Sequence, residues 1–127
     1  MRHYIFIPII LILAVVTTLL GCEDIFEKDI SKEQVTLVGP ADSAVSTDTL
    51  QKFAWEYVGP VANYQLQVVT PSFNNIQTLV ADTITPYNLV ELKLTRGRQY
   101  QWRLRGLNGS SSTVYSYPRT FTIKEKE

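Results

Sequence analysis

Between Tyr100 and Arg105 apolar and polar side chains take turns. Tyr100, Trp102 and Leu104 alternate with Gln101, Arg103 and Arg105. A period of two puts one set on each face of an extended strand, whereas a helix would mix both sets around its axis. The same period recurs over Asn63–Val69, where Tyr64, Leu66 and Val68 oppose Gln65 and Gln67. It recurs over Leu50–Glu56, where Phe53 and Trp55 oppose Lys52, Ala54 and Glu56. From Val35 onward no segment has a helical period.

Turn residues separate these runs. Gly39-Pro40 closes a short strand over Val35–Val38, and Gly59-Pro60 precedes the Asn63 run. Pro71 to Asn75 reads as a loop, with Ile76–Ala81 after it as an edge strand. Pro86 breaks the chain before a strand over Tyr87–Leu92. The alternating run spans Arg98–Leu107, Asn108–Thr113 is a polar loop, and Val114–Ile123 reads as a last strand with Phe121 and Ile123 inward. About seven short strands at such spacing imply an all-β antiparallel sandwich. The expected domain covers residues 35–123, with a charged tail at 124–127.

Several of these segments resemble fibronectin type III domains, of the immunoglobulin-like class. Leu94-Thr95-Arg96-Gly97-Arg98-Gln99-Tyr100 is similar to the corner where a Leu lies six residues before a Tyr. The resemblance implies that the Tyr100 hydroxyl bonds upstream backbone, a tyrosine corner. Phe53-Ala54-Trp55, Val61 to Val68 and Arg119 to Ile123 resemble the second, third and last strands of that family. Asn108 to Thr113 lacks the Arg-Gly-Asp adhesion motif of some animal relatives, so adhesion does not carry over. Trp55, Tyr64, Tyr100, Trp102 and Phe121 lie on the inward register and are expected to form the aromatic centre. Each contributes roughly 1.5–3 kcal/mol by burial.

The N-terminus obeys other rules. Arg2 supplies a positive start, and Tyr4 to Leu20 holds no charged residue. This pattern reads as a signal-peptide helix over residues 1–21. Leu19-Leu20-Gly21-Cys22 then resembles the bacterial lipobox. The resemblance implies cleavage between Gly21 and Cys22, a diacylglyceryl thioether on the Cys22 sulfur, and acylation of the new amine by chains such as palmitate. The bare alternative is an uncleaved membrane helix, at the lower edge of spanning length. Residues 22–34 then read as a lipidated Cys and a charged, solvated linker. Its acidic start resembles the surface-export signals of some Gram-negative lipoproteins.

The single histidine, His3, and the single cysteine, Cys22, both lie at this end. A processed chain would hold neither an imidazole nor a free thiol. Ser-His-Asp and Cys-His catalysis and the usual zinc ligand sets are then excluded, and disulfides are impossible. No enzyme, cofactor or metal site is expected. Without Arg2 the chain has 11 basic and 12 acidic residues, a net charge of −1. Nucleic acid, which needs clustered positive charge, is disfavoured.

Asp42-Ser43-Ala44, Asp48-Thr49-Leu50 and Asp82-Thr83-Ile84 share one form, Asp then hydroxyl then apolar. They resemble an O-glycosylation acceptor pattern on exported proteins of some Gram-negative bacteria, implicating Ser43, Thr49 and Thr83. Asp before Ser or Thr is also a turn device at strand entries. Phe73, Tyr115 and Tyr117 are candidate binding aromatics. Coplanar exposure would favour stacking on sugar rings, whereas packing inward would favour an interaction module. Arg103 and Arg105 face outward and could meet an acidic ligand or only solvent.

These readings converge on a lipid-anchored cell-envelope lipoprotein, at the outer membrane on its periplasmic or surface face. Its sandwich is expected to be a non-catalytic interaction or accessory module for another envelope protein, acting through an edge strand or loop. The alternative is a glycan-binding lipoprotein associated with polysaccharide uptake.

Overall fold

The computed structural model describes residues 27–126, so the leader, Gly21 and Cys22 lie outside the described residues. Eight strands follow in order: β1 (Leu37–Gly39), β2 (Ala44–Ser46), β3 (Leu50–Trp55), β4 (Asn63–Ser72), β5 (Asn75–Thr85), β6 (Leu89–Lys93), β7 (Arg98–Leu107) and β8 (Arg119–Ile123). They form two sheets, β1-β3-β6 and β2-β8-β7-β4-β5. All pairs are antiparallel except β2 with β8. The result is the expected all-β sandwich of two sheets, with one parallel pair in place of a wholly antiparallel arrangement.

The core follows the alternation. Trp55, Tyr64, Tyr100, Trp102 and Phe121 are all buried, joined by Phe53, Leu66, Val68, Leu104 and Ile123. Phe53 meets Trp102 edge-on at 5.3 Å between ring centres, and Tyr100 stacks on Phe121 at 5.5 Å. Such pairs add about 0.5–1.5 kcal/mol beyond burial. The Tyr100 hydroxyl closes the β6–β7 corner: it accepts from the Thr95 amide at 3.0 Å and donates to the Thr95 carbonyl at 3.2 Å. A second tyrosine works alike at the other end, where the Tyr64 hydroxyl accepts the Val58 amide at 2.7 Å.

Four local expectations need correction. β4 continues through Pro71 to Ser72, and β5 begins at Asn75, so a tight hairpin replaces the loop over Pro71–Asn75. β7 stops pairing with β4 at Val69, which leaves Pro71 beyond the shared ladder where its missing N–H is tolerated. Val114–Ile123 is not one strand. Only Arg119–Ile123 pairs, because Pro118 lacks a donor and Ser116 takes the Leu104 amide on its Oγ at 3.0 Å. The sixth strand starts at Leu89, not Tyr87, whose side chain is exposed. β2 is an additional strand of three residues, too short to show a period.

The segment read as a solvated linker is partly docked. Ile30 is fully buried, and its amide donates to Ser111 Oγ at 3.2 Å. Glu27 Oε2 accepts the Gly109 amide at 2.7 Å, and Asn108 Nδ2 donates to the Lys28 carbonyl at 3.3 Å. Asn108 also ties in the β3–β4 loop, donating to the Pro60 carbonyl at 2.9 Å and accepting the Ala62 amide at 2.8 Å.

Candidate functional site

The outer face of the five-stranded sheet carries the most organised polar cluster among the described residues. The ladder registers place Gln65 beside Arg105 and Gln67 beside Arg103 on β4 and β7, with Asp82 beside Gln67 on β5. Each glutamine amide relays between an acid and a base. Gln65 Nε2 donates to Asp82 Oδ1 at 2.8 Å while its Oε1 accepts from Arg105 Nε at 2.8 Å. Gln67 Nε2 donates to Asp82 Oδ2 at 3.4 Å while its Oε1 accepts from Arg103 Nε at 2.9 Å. Charge-assisted bonds at both ends polarise such a chain and hold it rigid.

Aromatic rings complete the cluster. The Arg103 guanidinium carbon lies 4.3 Å from the Phe73 ring centre and 4.1 Å from that of Tyr115. Arg105 lies 4.6 Å from the Tyr115 ring centre. The Tyr115 hydroxyl is within 3.3 Å of Gln65 Oε1, and the Phe73 amide donates to Gln101 Oε1 at 2.8 Å. Two guanidinium groups thus share one carboxylate, Asp82, through glutamines. The ion pairs among the described residues, Lys28–Glu33 and Lys52–Glu91, involve neither arginine. This face therefore carries a fixed excess of one positive charge with its aromatic and planar groups already oriented.

Of the three candidate aromatics, Phe73 and Tyr115 come together around Arg103, and both are half-buried. Tyr117 is not part of that stack and is 94% exposed. They form neither a coplanar exposed patch nor part of the core. Tyr115 and Tyr117 instead flank an open groove of about 340 Å³, with Gln34, Val35, Leu37 and Arg119 among its other walls. Arg119 braces that groove by donating to the Leu37 carbonyl at 3.2 Å. Sequence reasoning missed Gln34 and Arg119, which lie far apart along the chain and meet only where the two sheets adjoin.

The three Asp-hydroxyl pairs lie in different settings. Asp42 Oδ1 accepts the Thr120 amide at 2.9 Å, and the exposed Ser43 holds a left-handed backbone with φ of 66°. Asp48 Oδ1 accepts the Leu50 amide at 3.0 Å, an Asx turn at the entry to β3, with Thr49 half-buried beside it. Thr83 is in mid-β5, half-buried opposite Leu66, while its neighbour Asp82 belongs to the glutamine relay. Among the described residues no group of three or more His, Cys, Asp or Glu is placed to hold a metal ion.

No protein-family model matches the chain, and no curated protein matches it. Among solved structures it is similar to the solution structure of the third fibronectin III domain of the human KIAA0343 protein, at 18% identity over 75% of this chain and 82% of that one, with a TM-score of 0.48.

Proposed function

We propose that this chain is a lipid-anchored cell-envelope lipoprotein whose sandwich is a non-catalytic interaction module. Its contact surface is the outer face of the five-stranded sheet. The observation that carries the contact surface is Arg103, held between Phe73 and Tyr115 with its Nε on Gln67. Arginine and tyrosine dominate binding energy at protein interfaces, most of all when pre-positioned. Lipid attachment through Cys22 rests on Leu19-Leu20-Gly21-Cys22 behind an uncharged apolar run. A chain with no histidine or cysteine after Cys22 is suited to binding rather than nucleophilic or histidine-based proton chemistry. Outer-membrane residence and the Ser43, Thr49 and Thr83 acceptor sites belong to the same proposal.

Two experiments separate its parts. Cys22→Ala should move the chain from the membrane to the soluble fraction; retention in the membrane would refute the anchor. A photo-crosslinking amino acid at position 115, in whole cells, should give a discrete adduct that Arg103→Ala with Arg105→Ala abolishes. Adducts unchanged by that double substitution would place the contact elsewhere.

The groove beside Tyr117 favours a second reading, glycan binding. An exposed aromatic ring next to an amide and a guanidinium suits a sugar, which offers one apolar face and a rim of hydroxyls. Titration with oligosaccharides should then shift Tyr117 and Gln34 resonances, and Tyr117→Ala should remove the response.

A further inference from the structure

We infer that the end of the sandwich carrying the β3–β4, β5–β6 and β7–β8 loops rests on the lipid surface. The inference depends on lipid attachment at Cys22 and goes beyond it, because an anchored domain on a loose linker would touch nothing. Here the linker is docked over Glu27–Ile30. Glu27 is bonded to Gly109, the Lys28 carbonyl to Asn108, and the Ile30 amide to Ser111, with the Ile30 side chain fully buried. Glu27, held in this way, lies five residues after Cys22. Even fully extended, five residues span at most about 18 Å.

The registers define what lies at this end. Leu37 is opposite Trp55, Leu89 opposite Ala54, Thr85 opposite Tyr64, and Leu107 opposite Asn63. Chain entry and the three loops therefore share one end. The Ser72–Asn75 turn, the Leu94–Gly97 corner and the chain beyond Ile123 share the other. A ten-residue strand such as β7 separates the two ends by about 34 Å. The tether cannot bridge that distance, so the lipid attaches beside the near end.

The near end has side chains suited to a headgroup layer. Tyr57 is 60% exposed, Tyr87 is 67% exposed and Val114 is 65% exposed. The far end exposes Asn74, Asn75 and Thr95 at its turns, with Ile76 51% and Leu50 46% exposed beside them, and has no exposed tyrosine among these. Tyrosine, apolar in body and polar at its tip, concentrates where hydrocarbon meets water. In this orientation the far-end turns and the flanks of both sheets remain open to partners.

The test uses the full lipidated chain in phosphatidylethanolamine–phosphatidylglycerol vesicles. Cys22 is the chain's one cysteine and is consumed by the lipid, so Tyr57→Cys, Tyr87→Cys and Asn74→Cys each supply a unique labelling site. A fluorophore at 57 or 87 should be quenched several-fold more strongly by headgroup-nitroxide lipids than one at 74. Equal quenching at both ends, in a chain that floats with the vesicles, overturns the inference and leaves the anchor standing. A chain that does not float defeats the anchor and the inference together.

Discussion

The Arg103 guanidinium carbon lies 4.1 Å from the centre of the Tyr115 ring, and Phe73 covers it from 4.3 Å. One cation is thus held between two aromatic rings on the outer face of the five-stranded sheet. Each such contact adds about 0.5–1 kcal/mol at exposed sites and more when water is excluded. Arg103→Ala should lower unfolding stability by about 1–2 kcal/mol, read from urea midpoints. A double-mutant cycle with Tyr115→Ala should show coupling of at least about 0.5 kcal/mol. Coupling near zero would mean that the stack is incidental.

The Tyr100 hydroxyl holds both the amide and the carbonyl of Thr95. Tyr100→Phe leaves these groups without that partner and should lower stability by about 1–3 kcal/mol. Tyr64→Phe should act at the opposite end by freeing the Val58 amide. Hydrogen exchange distinguishes them: Thr95 should lose protection in the first variant and Val58 in the second. Loss at both positions in either variant would contradict two separate corners.

Ile30 lies outside the strands yet is fully buried. Ile30→Ala should destabilise by about 2–4 kcal/mol, as for other buried Ile or Leu truncations. A chain starting at Val35 should lose at least as much relative to one starting at Glu27. Equal midpoints for the two chains would show that the docked segment adds nothing.

Asp29 accepts the Ser31 amide on Oδ1 at 2.9 Å, and this bond lowers its carboxyl below the ordinary aspartate value. A carboxyl lowered in the folded state stabilises that state above its unfolded value, and the effect fades as pH falls through the folded value. Titration of the Ser31 amide by NMR should therefore give a midpoint below that of an unconstrained aspartate, about 3.9. Asp29→Asn should abolish the titration. A midpoint at or above the free value would contradict the bonded turn.

Strand β7 could be read from sequence to its ends, because its inward and outward residues never change places over Tyr100–Arg105. The corner was legible through a resemblance, the Leu94-to-Tyr100 spacing shared with fibronectin type III domains, and both residues are buried. β5 resisted. Its register with β4 skips Val80 and then Gln77, and each bulge turns the following residues to the other face, so alternation fails as a guide. Val69 is another case. It shares the outer face with Gln101, its partner on β7, yet is fully buried, so outward did not mean exposed. The arginine stack was half legible: Arg103 and Arg105 were placed outward, but Phe73 and Tyr115 reach them from two loops. Ile30, with Ile25 and Phe26, offered only a short and marginal apolar helical face in the sequence, and the partner of its amide, Ser111, lies 81 positions away.

Cys22 bears most of the functional proposal, and the mass of the mature N-terminus tests it most directly. Protein extracted from membranes should begin at Cys22, lack residues 1–21, and carry a diacylglyceryl group on sulfur. A chain that retains Met1 and a free Cys22 thiol would contradict the lipoprotein assignment, and with it the bilayer contact of the tyrosine-bearing end.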